Sequence, residues 1–167
     1  DFDCRRLLCN ALVQPYLDYC STAWYSSLTV ELKRRLDVIQ RRMARFIFSL
    51  DRLSHIDKTD LRKLSWLSIP DRVRFFKLTQ VFKIRNGISP QYLAASFLPL
   101  SEAHGYETRR KSFNYQISRE LSNSRSSFTY TAIKYWNDLP QSLQSLTSLT
   151  TFKKRLKDFI ISSSGLE

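Results

Sequence analysis

The strongest constraint on the fold is the spacing of apolar residues between Leu28 and Ile47. They recur every three or four positions, at Leu28, Leu32, Leu36, Ile39, Met43, Phe46 and Ile47. At about 100° per residue this spacing gathers them on one face of a long helix. Arg34, Arg41, Arg42 and Arg45 then fall on the opposite side. The stretch therefore predicts an amphipathic helix with a cationic outer face.

Helix start and stop signals recur along the rest of the chain. Pro70 and Asp71 behind Ser68 favour a helix start, and Gly87 supplies the left-handed residue that ends it. The same reasoning predicts further helices at residues 3–12, 15–24, 59–66, 89–97, 127–137 and 148–160. We therefore expect an all-α fold.

Composition divides this helical chain into two parts. Between residues 100 and 125 aliphatic residues are few, a basic cluster occurs at Arg109-Arg110-Lys111, and five serines lie between Ser118 and Ser127. This pattern is typical of a linker or a long excursion, with a brief extended stretch near Phe113 to Ile117. We expect a helical unit at 1–99, a basic Ser-rich linker at 100–125 and a smaller helical unit at 126–167.

The charge of the chain indicates what it binds. Lys and Arg number 27 and Asp and Glu 15, a formal net charge of +12, and the isoelectric point is near 9.9. Such an excess favours a polyanionic partner, with nucleic acid the best fit; an inert basic surface is the alternative. No apolar run approaches the ~20 residues that cross a bilayer, so no membrane partner is expected. The start at Asp1 suggests a piece of something longer.

Residues for catalysis or metal binding are sparse. Asp57 and Asp60 are three apart, a pairing common at helix starts, and His55 has no evident partner. The three glycines stand alone, so no phosphate-wrapping loop exists. Cys4, Cys9 and Cys20 are expected to be reduced, mostly buried thiols of an intracellular protein. We predict no catalytic residue, no metal site, no cofactor and no small-molecule substrate in this chain.

The basic residues are the candidate binding site. Arginines on one helical face can neutralise the phosphates of a duplex without reading its sequence. The candidates are Arg34, Arg41, Arg42 and Arg45, joined by Arg109, Arg110 and Lys111 and by Lys153 and Lys154 on the last helix; for each group, an ordinary solvated surface is the alternative. Trp24, Trp66 and Trp136 could stack on bases, but their apolar surroundings favour burial in the core.

Several motifs occur in an order that resembles a known family. They are residues 12–24 (LVQPYLDYCSTAW), 36–45 (LDVIQRRMAR), 64–72 (LSWLSIPDR), 82–87 (FKIRNG), 110–113 (RKSF), 136–140 (WNDLP) and 148–156 around Phe152-Lys153. Together they resemble the C-terminal region of a non-LTR (LINE-type) retrotransposon reverse transcriptase, an RNA-directed DNA polymerase of transposable elements. The resemblance spans nearly the whole chain.

The resemblance implies a role for each part. Residues 1–99 would be a thumb domain, a helical bundle that packs against the template–primer, and 126–167 the extension that follows it. Gln40, Arg41, Arg42 and Arg45 would face the nucleic-acid backbone, while Leu36, Ile39 and Met43 would hold their helix to the thumb. The implied partners are RNA or an RNA/DNA template–primer and the palm and fingers of the polymerase, in a nuclear or cytoplasmic ribonucleoprotein.

The chain also departs from the family. It lacks the Tyr-x-Asp-Asp turn whose carboxylates position Mg²⁺ at the growing 3′ end. Mg²⁺ would thus belong to the missing polymerase core, and this chain alone is not expected to extend a primer. Two other interpretations stay open: a module that docks on other domains of the same polyprotein, and a non-functional remnant of an element.

Overall fold

The computed structural model describes residues 1–103, 113–117, 119 and 124–163, and within them it confirms the all-α fold. Among the described residues, β-type pairing occurs as an isolated antiparallel bridge between Pro99 and Tyr115. The α-helices are α1 (Phe2–Leu8), α2 (Gln14–Asp18), α3 (Ser21–Trp24), α4 (Val30–Phe48), α5 (Lys58–Lys63), α6 (Ile69–Arg85), α7 (Gln91–Ala94), α8 (Leu100–Ala103), α9 (Phe128–Asn137), α10 (Gln141–Gln144) and α11 (Leu149–Ser163).

Most predicted helices form, with shifted ends. A π-helix at Cys9–Val13 joins α1 to α2, and a 3₁₀ turn at Tyr25–Ser27 follows α3. The predicted helix at 15–24 is therefore two short helices, broken by the left-handed residue Cys20. Within the described residues, no helix has both the length and the apolar character that a membrane span requires.

Side-chain caps set several of these ends. Thr29 accepts a hydrogen bond from the Leu32 amide at the start of α4, and Ser127 accepts one from the Tyr130 amide at the start of α9. Such caps satisfy amides that have no partner inside the helix. Gly87, at φ +67°, lies just beyond α6 in the left-handed conformation, as the sequence predicted.

The chain divides into two compact units, Asp1–Val73 and Arg74–Glu167. This division falls inside α6, whereas the sequence placed the end of the first unit at residue 99. The reason lies in the packing of α6, whose Phe82 ring stacks on Phe152 of α11 with the ring centroids 4.3 Å apart. Most of α6 therefore shares a core with the C-terminal helices.

The first unit has a core built from α2, α4, α5 and the chain that leads into α6. Its buried residues are Cys9, Leu17, Met43, Ala44, Ile47, Ile56, Leu61, Leu64, Trp66 and Ile69. Leu61 and Leu64 point inward as predicted. Arg72 at the start of α6 forms a two-pronged ion pair with Asp18, which ties α6 to the end of α2.

The second unit is organised around aromatic side chains. Trp136 and Phe152 are fully buried and lie 5.9 Å apart, measured between ring centroids. Tyr115 contacts both Trp136 and Phe97, so that rings from α6, α9, α11 and the segments between them form one continuous core. Large aromatic surfaces contribute most of the burial in such a core.

Three side chains hold residues 113–115 against this core. The Trp136 indole donates to the Phe113 carbonyl at 2.8 Å, and the Asn137 amide both accepts from the Tyr115 amide and donates to the Tyr115 carbonyl. Gln144 donates to the Asn114 side chain and to the Trp136 carbonyl. Residues that the sequence assigned to a linker are therefore part of the second unit.

We predict that Trp136→Ala destabilises the second unit by about 3–5 kcal/mol, since it empties a fully buried site and leaves the Phe113 carbonyl without its donor. Urea unfolding followed by circular dichroism measures the loss. Tyr92→Ala is the control, because Tyr92 is 75% exposed and its removal should leave the midpoint nearly unchanged. Equal effects of the two substitutions would contradict the packing described here.

Candidate nucleic-acid interface

The helix α4 presents its arginines on an exposed face, but its buried stripe is rotated from the predicted one. The residues buried on α4 are Gln40, Met43, Ala44 and Ile47. Leu32, Ile39 and Phe46 were expected in the core, yet they are 43%, 39% and 52% exposed. These three are seven residues apart, so they share one direction, about 80–120° around the helix from Gln40. They border the arginine face.

Gln40 is placed in the core rather than on the nucleic-acid face. Its side chain is 2% exposed, and its Nε2 donates to the Leu67 carbonyl at 2.9 Å. The position lies four residues after Leu36 and three before Met43, which puts it in the middle of the buried stripe. This spacing was readable in the sequence, whereas the outward position of Gln40 was expected only from the family resemblance.

At the N-terminal end of α4, acidic neighbours partly neutralise the positive charge. Arg34 and Arg35 both pair with Glu31, at 3.1 and 3.4 Å. The pairing with Arg34 is the main cause that holds the pKa of Glu31 below its ordinary value. All three side chains are exposed, so this pairing is weak, and Arg34 stays within reach of a phosphate.

Farther along α4 the positive charge is less compensated. Arg41 and Arg42 are exposed, and neither forms an ion pair with a described carboxylate. Asp37 lies one turn before Arg41, and its partial burial raises its pKa while Arg41 acts in the opposite direction. The C-terminal half of α4 is therefore the more cationic half.

A cleft of about 420 Å³ opens beside the last turns of α4 and is lined by Arg42, Arg45, Phe46, Leu50 and Arg52. We call it the arginine cleft. Three of its five lining residues are arginines, none is acidic, and Phe46 and Leu50 supply apolar surface. The Arg5 guanidinium lies 5.5 Å from the centre of the Phe46 ring, which is one of the side chains that line the cleft.

Tertiary structure assembles this cleft. Ser49 adopts a left-handed conformation that ends α4, and the Leu50 amide then bonds back to the Arg45 carbonyl at 2.9 Å. This reversal brings Leu50 and Arg52 beside the last turn of α4. The Arg45 Nε donates to the Ser54 carbonyl at 2.7 Å, which fixes the half-buried Arg45 side chain against the following loop. Arg52 and Arg5 were missed in the sequence, where they fall outside the helical pattern.

The other predicted basic residues lie elsewhere. Lys153 and Lys154 are exposed on α11 in the second unit. Arg109, Arg110 and Lys111 lie outside the described residues. The structure thus gathers Arg42 and Arg45 into one cleft with Arg41 close by on the same helix, and it adds Arg52.

The tryptophan and cysteine side chains divide between the core and the surface. Trp66 and Trp136 are buried as expected, while Trp24 is only half-buried and donates to the Tyr19 carbonyl at 2.8 Å. The expectation of mostly buried thiols was wrong, because Cys4 and Cys20 are exposed and only Cys9 is buried. All three are free thiols.

Asp57 and Asp60 form a capping box at the start of α5, as the helix-start interpretation expected. Asp57 accepts hydrogen bonds from the amides of Thr59 and Asp60, and Asp60 accepts one from the Asp57 amide. Hydrogen bonds from the Thr59 hydroxyl and the Asp60 amide are the main causes that lower the pKa of Asp57 to about 2. Its carboxylate is thus committed to the helix end rather than to proton transfer.

A second surface of the first unit is apolar instead of charged. Along α1, the π-helix and α2 the exposed apolar residues are Leu7, Leu8, Leu12, Tyr16 and Tyr19, with exposures between 44% and 81%. Exposed apolar residues grouped along one face of a protein often mark a contact with another protein.

The chain was compared with protein families, curated proteins and solved structures. No protein-family model matches the chain, and no match was found among curated proteins or among solved structures.

We predict that Gln40→Ala destabilises the protein without weakening nucleic-acid binding, because Gln40 bonds to the Leu67 carbonyl inside the core. An unpaired buried carbonyl costs about 1–3 kcal/mol. Urea unfolding gives the stability, and fluorescence anisotropy with a labelled RNA/DNA hybrid gives the affinity. A tenfold loss of affinity (about 1.4 kcal/mol) in a folded Gln40→Ala protein would return Gln40 to the interface.

The capping box predicts a pH dependence. Because the folded pKa of Asp57 lies below its ordinary value of 3.8, its stabilising effect is complete above that value and is lost as the pH falls through about 2. Asp57→Ala should therefore lower the thermal midpoint at pH 7, and the difference from the unsubstituted protein should shrink near pH 2. Thermal unfolding at both pH values tests this, with Asp158→Ala on α11 controlling for the loss of a carboxylate. A difference that stays constant would contradict the role of the ionised carboxylate.

Proposed function

We propose that this chain is a non-catalytic C-terminal part of a retrotransposon reverse transcriptase, and that it binds the template–primer backbone without sequence specificity. The arginine cleft carries the proposal, together with the exposed Arg41 beside it and the net charge of +12. The ordered motifs that resemble the non-LTR family supply the identity of the larger protein. The nucleic acid would be RNA or an RNA/DNA hybrid.

The chemistry of the cleft fits phosphate groups. The guanidinium of arginine donates in a planar fork that matches phosphate oxygens, and it keeps its charge at any physiological pH. Arg45 is held by the Ser54 carbonyl through Nε alone, so the bond leaves its terminal nitrogens available for an anion. A cleft without acidic lining attracts the backbone of any sequence and gives affinity rather than base readout.

Catalysis would come from elsewhere in the polymerase. The sequence holds no Tyr-x-Asp-Asp turn, and the Asp57–Asp60 pair serves as a helix cap. The role proposed for the chain is to hold the duplex for an active site on the palm. Such a role needs positive charge in a fixed place, and α4 with its buried stripe provides a rigid element for it.

A second function is favoured by the apolar surface formed by α1, the π-helix and α2. In a polymerase, this surface would dock on the palm or fingers, the second partner that the family resemblance implies. Docking through apolar contacts is little screened by salt, whereas phosphate contacts weaken steeply with it. Salt dependence therefore separates the two functions, and both surfaces can act in the same protein.

The test is a titration of a labelled RNA/DNA hybrid with the protein at several salt concentrations, followed by fluorescence anisotropy. Contacts from Arg34, Arg41, Arg42, Arg45 and Arg52 predict a slope of log affinity against log salt of about −4 to −5, alike for unrelated sequences. Replacing Arg41, Arg42 and Arg52 by Gln should reduce the slope by about 3 and lower the affinity at every sequence.

A matched control removes the same charge from the same unit. Lys58, Arg62 and Lys63 of α5 are exposed, and their replacement by Gln should leave the slope almost unchanged. Arg45 is kept in both variants, because its bond to Ser54 gives it a structural role. Equal losses in the two variants would show that only total charge matters, and a flat slope in a folded protein would favour the docking function.

A further inference from the structure

A cavity of about 360 Å³ lies in the second unit, whereas the residues of the arginine cleft belong to the first unit. The polar lining of the cavity comes from Arg85, Ser101, Asn114 and Tyr115, and its apolar lining comes mainly from Ile84, Phe97 and Phe113. The accessible lining is more polar than apolar, and the volume lies at the small end of the usual range for ligand pockets.

Arg85 carries a positive charge that no described carboxylate balances. Its guanidinium lies 4.3 Å from the centre of the Phe113 ring, and no ion pair to a described acidic residue accompanies this contact. Partial burial lowers the pKa of Arg85, while Tyr115 acts in the opposite direction. Burial also raises the pKa of Tyr115, so its hydroxyl stays protonated and able to donate. A partly buried cation without a counter-charge is costly unless an anion completes it.

The wall that faces Arg85 is unusually well fixed for an irregular segment. The backbone carbonyls of Phe113 and Tyr115 accept from Trp136 and Asn137, and the Asn114 carbonyl accepts from the Leu100 amide at 2.9 Å. The Asn114 side-chain oxygen accepts from Gln144, which leaves its amide nitrogen as a donor. A pocket held in place before its ligand arrives loses little entropy on binding.

Three sequence motifs meet at this pocket. Arg85 belongs to residues 82–87, Phe113 to residues 110–113, and Trp136 and Asn137 to residues 136–140. These motifs contact one another in the folded chain. Trp136 bonds to the Phe113 carbonyl, and the Phe113 ring stacks on the Arg85 guanidinium. A need for a stable core explains the buried tryptophan but does not explain an arginine beside a cavity whose charge no described carboxylate balances.

From this geometry we propose that the pocket binds the phosphate of a nucleotide. The guanidinium of Arg85 contacts the phosphate, and the base of the nucleotide lies against the aromatic lining of the pocket. The lining side chains that can donate to the phosphate are those of Arg85, Ser101, Asn114 and Tyr115. The proposal stands apart from the proposed function, because it uses none of the residues of the arginine cleft.

Two properties of the pocket favour a nucleotide over a peptide carboxylate. The phosphate carries more charge than a carboxylate and has more oxygens, which suits a set of several donors that includes a guanidinium fork. The Phe113 ring, which is half-buried at the pocket, offers aromatic surface on which a base can stack without sequence preference. A free nucleotide and the phosphorylated end of a strand share this chemistry.

The test is a titration of the whole chain with adenosine and uridine 5′-monophosphates, inorganic phosphate, uridine and acetate, followed by the amide signals of Phe113 to Gln116 in NMR spectra. Both nucleotides should shift these signals at lower concentration than phosphate, and uridine and acetate should have little effect. Arg85→Gln should weaken nucleotide binding about tenfold or more, and Tyr115→Phe should weaken it less.

The variants are chosen to keep the fold. Arg85→Gln removes a charge that has no carboxylate partner among the described side chains, and Tyr115→Phe keeps the buried ring. Lys83→Gln removes one charge from the same helix and is the matched control, with no change expected. The hybrid titration at the arginine cleft should be unaffected by Tyr115→Phe, so failure here and failure of the proposed function are distinguishable.

Each outcome decides the proposal. Absent binding in the folded protein, or binding that Arg85→Gln and Tyr115→Phe leave unchanged, overturns it. Phosphate binding as tightly as the nucleotides, or acetate binding in their place, also overturns it. If nucleotides bind as expected, short oligonucleotides with a 5′-phosphate or a 5′-hydroxyl identify the source: tighter binding of the phosphorylated strand at the pocket indicates a strand end, and equal binding indicates a free nucleotide.

Discussion

The hydrogen bonds that Trp136, Asn137 and Gln144 make to residues 113–115 hold this irregular segment against the aromatic core of the second unit. An irregular segment brings unpaired backbone groups into the core, and each group must find a partner or cost stability. Side chains from α9 and α10 supply those partners. Trp136 contributes twice, because its ring fills the aromatic core while its indole nitrogen bonds to the Phe113 carbonyl. The cavity beside Arg85 exists because this segment is held at a fixed distance from α6.

In the first unit, the buried side-chain amide of Gln40 helps to orient α4. The bond from Gln40 to the Leu67 carbonyl acts together with the burial of Met43, Ala44 and Ile47 to set the rotation of α4 about its axis. That rotation turns Arg41 and Arg42 outward and leaves Ile39 and Phe46 at the edge of the exposed face. The charged surface is therefore a consequence of core packing. Changes at Gln40 and changes at the arginines should act on different properties, stability for the first and binding for the second.

Positive charge has different surroundings at the two proposed binding sites. On α4 it is exposed and spread over several arginines, which suits a long polyanion whose phosphates repeat along the strand. In the second unit, Arg85 is single, partly buried and stacked on a ring, which suits one phosphate in a defined place. Net charge alone does not distinguish these settings, although they imply different ligands and a different response to salt.

Local signals in the sequence determined the longer helices of this protein, but not the short helices α8 and α10. Periodicity located α4, the Ser68–Pro70–Asp71 signal and Gly87 bounded α6, and Ser127 located the start of α9, because caps and helical faces depend on residues a few positions apart. The inward position of Gln40, the arrival of Arg52 beside α4, and the packing of α6 and of residues 113–117 with the C-terminal helices were decided by the tertiary structure. Each depends on partners distant in the chain, Leu67 for Gln40 and Trp136 for Phe113, and no local pattern specifies which distant carbonyl an amide or an indole will reach.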